Sequence, residues 1–312
     1  MNNQNVESIC EHKYMNFSNI DISTMTIIGV TNWNLNIEKL FENLQTTDYI
    51  VVPKKRGRKK KEIKEDPNKH IKQGDIITLK YKDQIKGVDL KNKKPNGKKG
   101  YFRNSITVVM FVDGKLINFK ISKNGKFQIT GCKKDLHEEL CTQYIWKYIK
   151  KSDESDQICK IKKNENPSII FLTMMTNIDF NLGFNINREA LDDYINTKTS
   201  FNSILETSFG YTGVNIKIPL DKSKGHPSYK RLTLADEKWV MDEVGGDVYF
   251  ENLTPKDQKK ELSKNRYNTF LVFHSGNVIL SSKHHYYMRD VYDNFIQIVE
   301  SSRNIIEEKV RD

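Results

Sequence analysis

The residues of this chain best equipped for chemistry are cations and bare apolar side chains, not catalytic groups. Seven of the eight residues from Lys54 to Lys61 are basic, and Arg56-Gly57-Arg58 lies at the centre of the run. Such a run binds polyanions by releasing their counterions. A merely solvated basic loop is the plainer alternative. With 51 Lys+Arg against 40 Asp+Glu, the formal charge is +11 and the pI about 9.2, which favours a polyanionic partner, most simply nucleic acid. Part of that charge reflects the AT-rich codons of Lys, Asn and Ile. Metal chemistry finds little support. Cys10, Cys132, Cys141 and Cys159 are too few and too irregularly spaced for a disulfide framework or a zinc site, and Cys10-Glu11-His12 lacks the usual ligand spacing. His284-His285 read as the start of a helix, and Glu138 and Glu139 as cap and surface charges. No nucleophile–base pair, phosphate loop or carboxylate constellation stands out, so the sequence argues for binding rather than catalysis and names no cofactor.

The elements that would position a binding surface are two hairpins. In Leu116–Lys133, LINFKISKNGKFQITGCK, apolar residues alternate strictly: Phe119, Ile121, Phe127 and Ile129 share one face. Lys120, Ser122, Gln128 and Thr130 share the other, because strand side chains have a period of two. Asn124-Gly125 supplies the turn. The design returns 151 positions later in Asn268–Lys283, NTFLVFHSGNVILSSK, where Gly276 matches Gly125, Phe270 matches Phe119, Val272 matches Ile121 and Leu280 matches Ile129. Each hairpin runs into an amphipathic helix. The chain reads as two copies of one sheet-and-helix unit.

Taken in order, residues 1–15 are a polar tail without an apolar segment, an expectation of no signal peptide. No apolar run approaches the roughly 20 residues of a membrane helix, so the chain is expected to be soluble and intracellular. The first repeat, 16–150, holds a strand at Ile20–Val30, a helix at Leu35–Leu44, a basic insertion at 53–99 with one strand at Ile76–Tyr81, a strand at Ser105–Val112, the hairpin, and a helix opened by Asp135-Leu136-His137-Glu138, which has capping-box spacing. A charged connector, 151–166, leads to the second repeat, 167–304. That repeat has a strand near Ile169–Met175, a helix from Asn187 to Ile195, a strand at Gly210–Pro219, an insertion at 220–266 whose Trp239, Val240 and Met241 find no assigned place, and the closing hairpin and helix. Each unit is thus expected to be strand, helix, three strands, helix.

A duplicated unit of this order, with Asn124-Gly125-Lys126 and Thr130-Gly131 in one copy and Phe273-His274-Ser275-Gly276 followed by Ser281-Ser282 in the other, resembles the TATA-box-binding protein family. It is most similar to the divergent members found in large DNA viruses. The resemblance covers about two-thirds of the chain. It implies an α+β fold: a tandem duplicated saddle, a curved antiparallel sheet with helices on the convex face and a concave face that lies on the DNA minor groove, where apolar wedges kink the duplex. Tyr211 and Phe273 stand at the family's wedge positions in the second repeat, with Leu271 and Ile279 beside them. In the first repeat Ser122 replaces one wedge, and the other is Ser105 or Phe102, depending on loop length. Lys120 and Gln128 replace apolar residues, while Thr107, Val109, Phe111 and Thr130 point to the same face, Ser281 matches Thr130, and Asn19 is nearest to the family's central asparagine.

These residues leave three readings. One is a transcription initiation factor that binds and bends double-stranded AT-rich DNA, with Arg56 and Arg58 serving either as an AT-hook-like minor-groove contact or within a nuclear import signal. Its expected partners are a B-type initiation factor and RNA polymerase machinery, without a membrane, in a nucleus or a cytoplasmic viral factory. The second is a protein-interaction scaffold on the same fold. The third, an enzyme, has no residues to support it. The plainer alternative for Tyr211 and Phe273 is a place in the core of an extra layer formed by the long insertion.

Overall fold

The computed structural model describes residues 14–52, 66–90, 104–161, 163–205 and 213–308. Two compact units divide it: one comprises Thr24–Met174 and Gly225–Thr254, the other Met1–Ser23, Met175–Lys224 and Pro255–Asp312. We call them the first-repeat and second-repeat units. Helices and antiparallel strands make both, an α+β fold.

In the first-repeat unit β1 (Ile22–Thr31) and the short β2 (Asn34–Leu35) precede α1 (Ile37–Asn43), then β3 (Ile76–Tyr81), β4 (Gln84–Gly87), β5 (Ser105–Val112), β6 (Lys115–Ser122), β7 (Lys126–Cys132) and α2 (Leu136–Lys151). A short α3 (Ser155–Ile158) and β8 (Cys159–Lys160) follow. The sheet order is β1-β7-β6-β5-β3-β4. The strand expected at Ile76–Tyr81 therefore has its expected bounds, and it is the fifth strand of the sheet: Ile76, Ile77 and Leu79 are fully buried. Phe119, Ile121, Phe127 and Ile129 are likewise buried under α2, which turns Cys141, Ile145, Trp146 and Ile149 towards them. The alternation read from the sequence is the alternation observed. Each such side chain contributes about 1.5–3 kcal/mol by leaving water.

β9 (Ser168–Asn181) opens the second repeat, followed by α4 (Arg188–Lys198), β10 (Asn202–Leu205) and β11 (Gly213–Pro219). The chain then gives β12 (Tyr229–Ala235), β13 (Lys238–Val244) and α5 (Gly246–Glu251) to the first-repeat unit, and returns with α6 (Pro255–Leu262), β14 (Tyr267–Phe273), β15 (Asn277–Ser282) and α7 (Arg289–Ile306). Within the second-repeat unit β9 pairs with β15, β15 with β14, β14 with β11 and β11 with β10. This repeats the order β1-β7-β6-β5-β3. Between α1 and α2 the first repeat has five strands, and between α4 and α7 the second, its inserted hairpin aside, has four, rather than the three expected of each. β3, expected as a strand of the insertion, joins the sheet, whereas β4, the four-residue β10 and the inserted β12 and β13 have no counterpart in the sequence reading. Phe270, Val272, Val278 and Leu280 pack with Leu191, Ile195, Phe295 and Val299 in one core, and Phe17 and Ile20 join it.

The duplication extends to individual hydrogen bonds. Asn36 caps α1 by accepting from the Lys39 N–H, and Asn187 caps α4 by accepting from the Ala190 N–H. Leu35 N–H donates to the Lys123 carbonyl (3.0 Å), as Ile186 N–H donates to His274 (2.8 Å). The turn glycines Gly125 and Gly276 have φ of 68° and 77°. A Cβ would strike the Trp33 carbonyl at the first and the Phe184 carbonyl at the second. Conformation and close approach both demand glycine there.

The capping box at Asp135 does not form. Asp135 makes no side-chain cap bond, and Glu138, expected to be a cap or surface charge, is 2% exposed. Its partner comes from 92 residues away: Lys230 on β12 reaches Glu138 (3.2 Å), Glu139 (2.7 Å) and the Asp135 carbonyl (3.2 Å). Burial pushes the Glu138 carboxyl up to about 8, against the opposing pull of Lys230. Burial alone would lower Lys230, but the carboxylates around it outweigh that and raise it. The β12–β13 hairpin is thus an ordered part of the unit, paired through β12 with Ser168–Phe171 of β9. Trp239, which the sequence left unplaced, rests beside Trp33 and Trp146. His284 caps the short 3-10 turn His285–Tyr287 ahead of α7, in keeping with a helix start.

Candidate nucleic-acid interface

On each sheet the face away from the helices is ordered by strand pairing into rows. In the second-repeat unit one row runs Ile204, Asn215, Leu271, Ile279, Asp179. The next runs Asn202, Lys217, Thr269, Ser281, Asn177. Phe273 lies across from Gly213 at the end of β14. Leu271, Phe273 and Ile279 are half-buried, and Ile204 is 60% exposed. Beside Phe273 and Ile279 the surface sinks into a depression of about 830 Å³, bounded also by Asp179, Asn181 and His274. The structure therefore brings Leu271, Phe273, Ile279 and Ser281 onto one surface. An apolar cluster of this kind, framed by polar side chains, marks a contact site.

The corresponding rows of the first-repeat unit are polar. They run Lys80, Thr107, Lys120, Gln128, Ile28 and Thr78, Val109, Asn118, Thr130, Thr26. At the repeat spacing, Lys120 occupies the place of Leu271, Gln128 that of Ile279 and Ser122 that of Phe273. Val109 belongs to its row but is only 8% exposed, so it contributes less surface than its alternation implies. Thr130 donates its hydroxyl to the Asn118 carbonyl (3.1 Å). The Ser122 hydroxyl lies 2.6 Å from Asn124 Oδ1 and 3.1 Å from the Lys126 carbonyl, and donates its one proton to one or the other, which commits it to the hairpin turn. Ser105 faces Ser122, in the register that Gly213 holds against Phe273.

Some expected residues are elsewhere. Asn19 ends the 3-10 turn Phe17–Asn19, whose Phe17 and Ile20 are buried in the second-repeat core, so it does not belong to the first-repeat face. Strand alternation could not reveal this, because the segment is not a strand. Tyr211, Phe102, Arg56 and Arg58 lie outside the described residues. Seven residues of the two second-repeat rows, Ile204, Asn215, Asp179, Asn202, Lys217, Thr269 and Asn177, are absent from the sequence reading. Asn177 and Asp179 follow the period of two in Thr-Asn-Ile-Asp-Phe-Asn, a signal present in the sequence, and Ile204 depends on β10. The Ser23 hydroxyl lies 3.0 Å from Asp179 Oδ1 and 3.2 Å from the Asn177 carbonyl and donates to one or the other, tying down the end of this surface. Among the described residues no group of His, Cys, Asp and Glu could hold a metal ion, and no helix is long and apolar enough to cross a membrane.

Chemically, the two faces offer different things. The second can pack apolar groups against a partner, and the first presents hydroxyls, amides and ammonium groups to acceptors. These features define a tandem-duplicated α+β protein with a helix-free sheet face in each repeat. No protein-family model matches the chain. It is 26% identical over 238 residues to a TATA-box-binding protein-like protein of Acanthamoeba polyphaga mimivirus, covering 68% of this chain and 58% of that one. It is 25% identical over 230 residues to the uncharacterized protein 335L of Invertebrate iridescent virus 6, covering 67% and 63%. The match thus spans about three-fifths of each relative. A superposition on the Methanococcus jannaschii TBP gives a TM-score of 0.39 at 12% identity, covering 90% of this chain and 98% of that one. The chain is similar to the TATA-box-binding-protein-like proteins of large DNA viruses.

Proposed function

We propose that this chain is a DNA-binding factor of transcription initiation that engages the minor groove of AT-rich duplex through its helix-free sheet faces. The observation that carries the reading is the apolar cluster of Leu271, Phe273 and Ile279 on a sheet face that the helices leave uncovered. Phe273, with Tyr211, would wedge a base step, at a cost of about a few kcal/mol offset by contact with the bent duplex. Lys120, Gln128, Thr107 and Thr130 would donate to the acceptors of the groove and backbone, without a wedge. Binding is therefore asymmetric, with one strong kink on the second-repeat side. Arg56 and Arg58 would add affinity through phosphate or minor-groove contact. A B-type initiation factor and polymerase machinery are the partners the resemblance implies, in a nucleus or a viral factory.

The competing reading, a protein-interaction scaffold, draws support from Asp179. A carboxylate in the apolar row repels phosphates, and nothing aromatic stands at Ser122. A mobility-shift titration decides between them. On the proposed reading AT-rich duplex competes at about one-tenth the concentration that GC-rich duplex requires, a difference of about 1.4 kcal/mol. Equal competition, or no shift, would favour the scaffold.

A further inference from the structure

A second surface stands apart from the sheet faces. All three tryptophans of the chain, Trp33, Trp146 and Trp239, meet in the first-repeat unit. Trp33 and Trp146 are 4.9 Å apart between ring centroids, and Trp146 and Trp239 pack edge to face at 6.3 Å. They come from β1's exit, α2 and the inserted hairpin, and Trp239 joins the other two because β12–β13 is held against α2. Lys230, anchored at Glu138 and Glu139, holds it there. Between α2 and the hairpin lies a cleft of about 640 Å³ with Leu140, Tyr144, Trp146, Leu234 and Trp239 on its walls. That volume falls within the range of ligand sites, roughly 300–1,000 Å³. Its charges are divided. Lys147 and Lys150 line the α2 wall, with the Lys150 ammonium 5.2 Å from the Trp146 ring centroid, and Glu237 stands on the hairpin wall.

We infer that this cleft is a docking site for an acidic, bulky-apolar segment of a partner protein. Two or three large side chains would fill the aromatic cleft, and aromatic anchors in such pockets carry most of the energy of protein contacts. The partner's carboxylates would meet Lys147 and Lys150 on α2, and the apolar stems of these lysines would extend the greasy wall. Glu237 sets the polarity: it favours the partner's acidic side against α2 and rejects it against the hairpin. A polyanionic duplex fits poorly, since its charge cannot enter an apolar cleft and Glu237 opposes it. This inference does not rest on DNA binding by the sheet faces.

Because every tryptophan of the protein lies in this cluster, intrinsic fluorescence reports on it directly. The probe is a synthetic 14-residue peptide of alternating Leu/Phe and Asp/Glu pairs without tryptophan, titrated into the full chain. Two controls replace its acids by lysine or its apolar residues by alanine. The expected result is a saturable change in emission, at least tenfold tighter for the acidic apolar peptide than for either control. Leu234→Ala should weaken it about tenfold. The double charge reversal Lys147→Glu, Lys150→Glu should invert the preference so that the lysine peptide binds better, an outcome that a misfolded variant could not give. No saturation up to millimolar peptide, equal binding of acidic and basic peptides, or displacement by duplex DNA would each overturn the inference.

Discussion

Glu138 provides the sharpest test of how the inserted hairpin is held. Its carboxyl is buried beneath Lys230, with Glu139, Asp135 and Cys132 as its other titratable neighbours, and burial raises it from 4.5 to about 8. The folded state therefore binds a proton that the unfolded chain releases between those two values. Stability contributed by this group is fully present below pH 4.5 and is lost as pH rises through about 8. The displacement corresponds to at most about 5 kcal/mol. Glu138→Gln keeps the shape without the ionisation, so it should flatten the decline of stability between pH 5 and 9 and raise stability at pH 9. Lys230→Met should do the opposite. It leaves the carboxyl without the cation that favours ionisation, so the group holds its proton to still higher pH and the loss of stability is about 1 kcal/mol greater at pH 9 than at pH 5. Denaturant melts of the three proteins at both pH values measure this. A Glu138→Gln variant with the wild-type pH slope, or a Lys230→Met loss equal at both pH values, would refute the reasoning.

Other consequences follow from strand register and charge. Ile129→Ala and Leu280→Ala each empty a fully buried site and should cost about 2–5 kcal/mol in denaturant melts, while Gln128→Ala should change stability little. Ser122→Ala removes the hydroxyl that bonds within the turn and should cost about 0.5–1.5 kcal/mol without altering any DNA bend. Deleting residues 54–61 should lower the slope of log affinity against log salt while preserving preference for AT-rich duplex, and loss of the preference with an unchanged slope would assign the run a sequence-reading role instead.

What the sequence made legible were the features encoded locally. Alternation over eight residues fixes which side of β6 and β14 is buried, and the glycine turns fix where each hairpin closes. The apolar–polar divergence of the two outward faces, Lys120 against Leu271 and Ser122 against Phe273, follows from the same register. Features that depend on distant partners were not legible. β10 is four residues long, and only its pairing with β11 makes it a strand. The spacing at Asp135 looks like a cap because nothing nearby reveals that Glu138 belongs to Lys230. Trp239 looked stranded because the rings it touches lie 206 and 93 positions earlier. Asn19 stands nearest the family's central asparagine in sequence, yet Phe17 and Ile20 carry its segment into the second-repeat core.

The central claim is asymmetric bending of DNA through the second repeat, and fluorescence energy transfer across an end-labelled AT-rich duplex tests it most directly. The wild-type chain should impose one kink, on the side facing the second repeat. Phe273→Ala should reduce both the bend and the affinity, the latter by about 1–3 kcal/mol for loss of one stacking aromatic, while Lys120→Ala should weaken binding and leave the bend in place. Two equal kinks, or a bend indifferent to Phe273, would contradict the account.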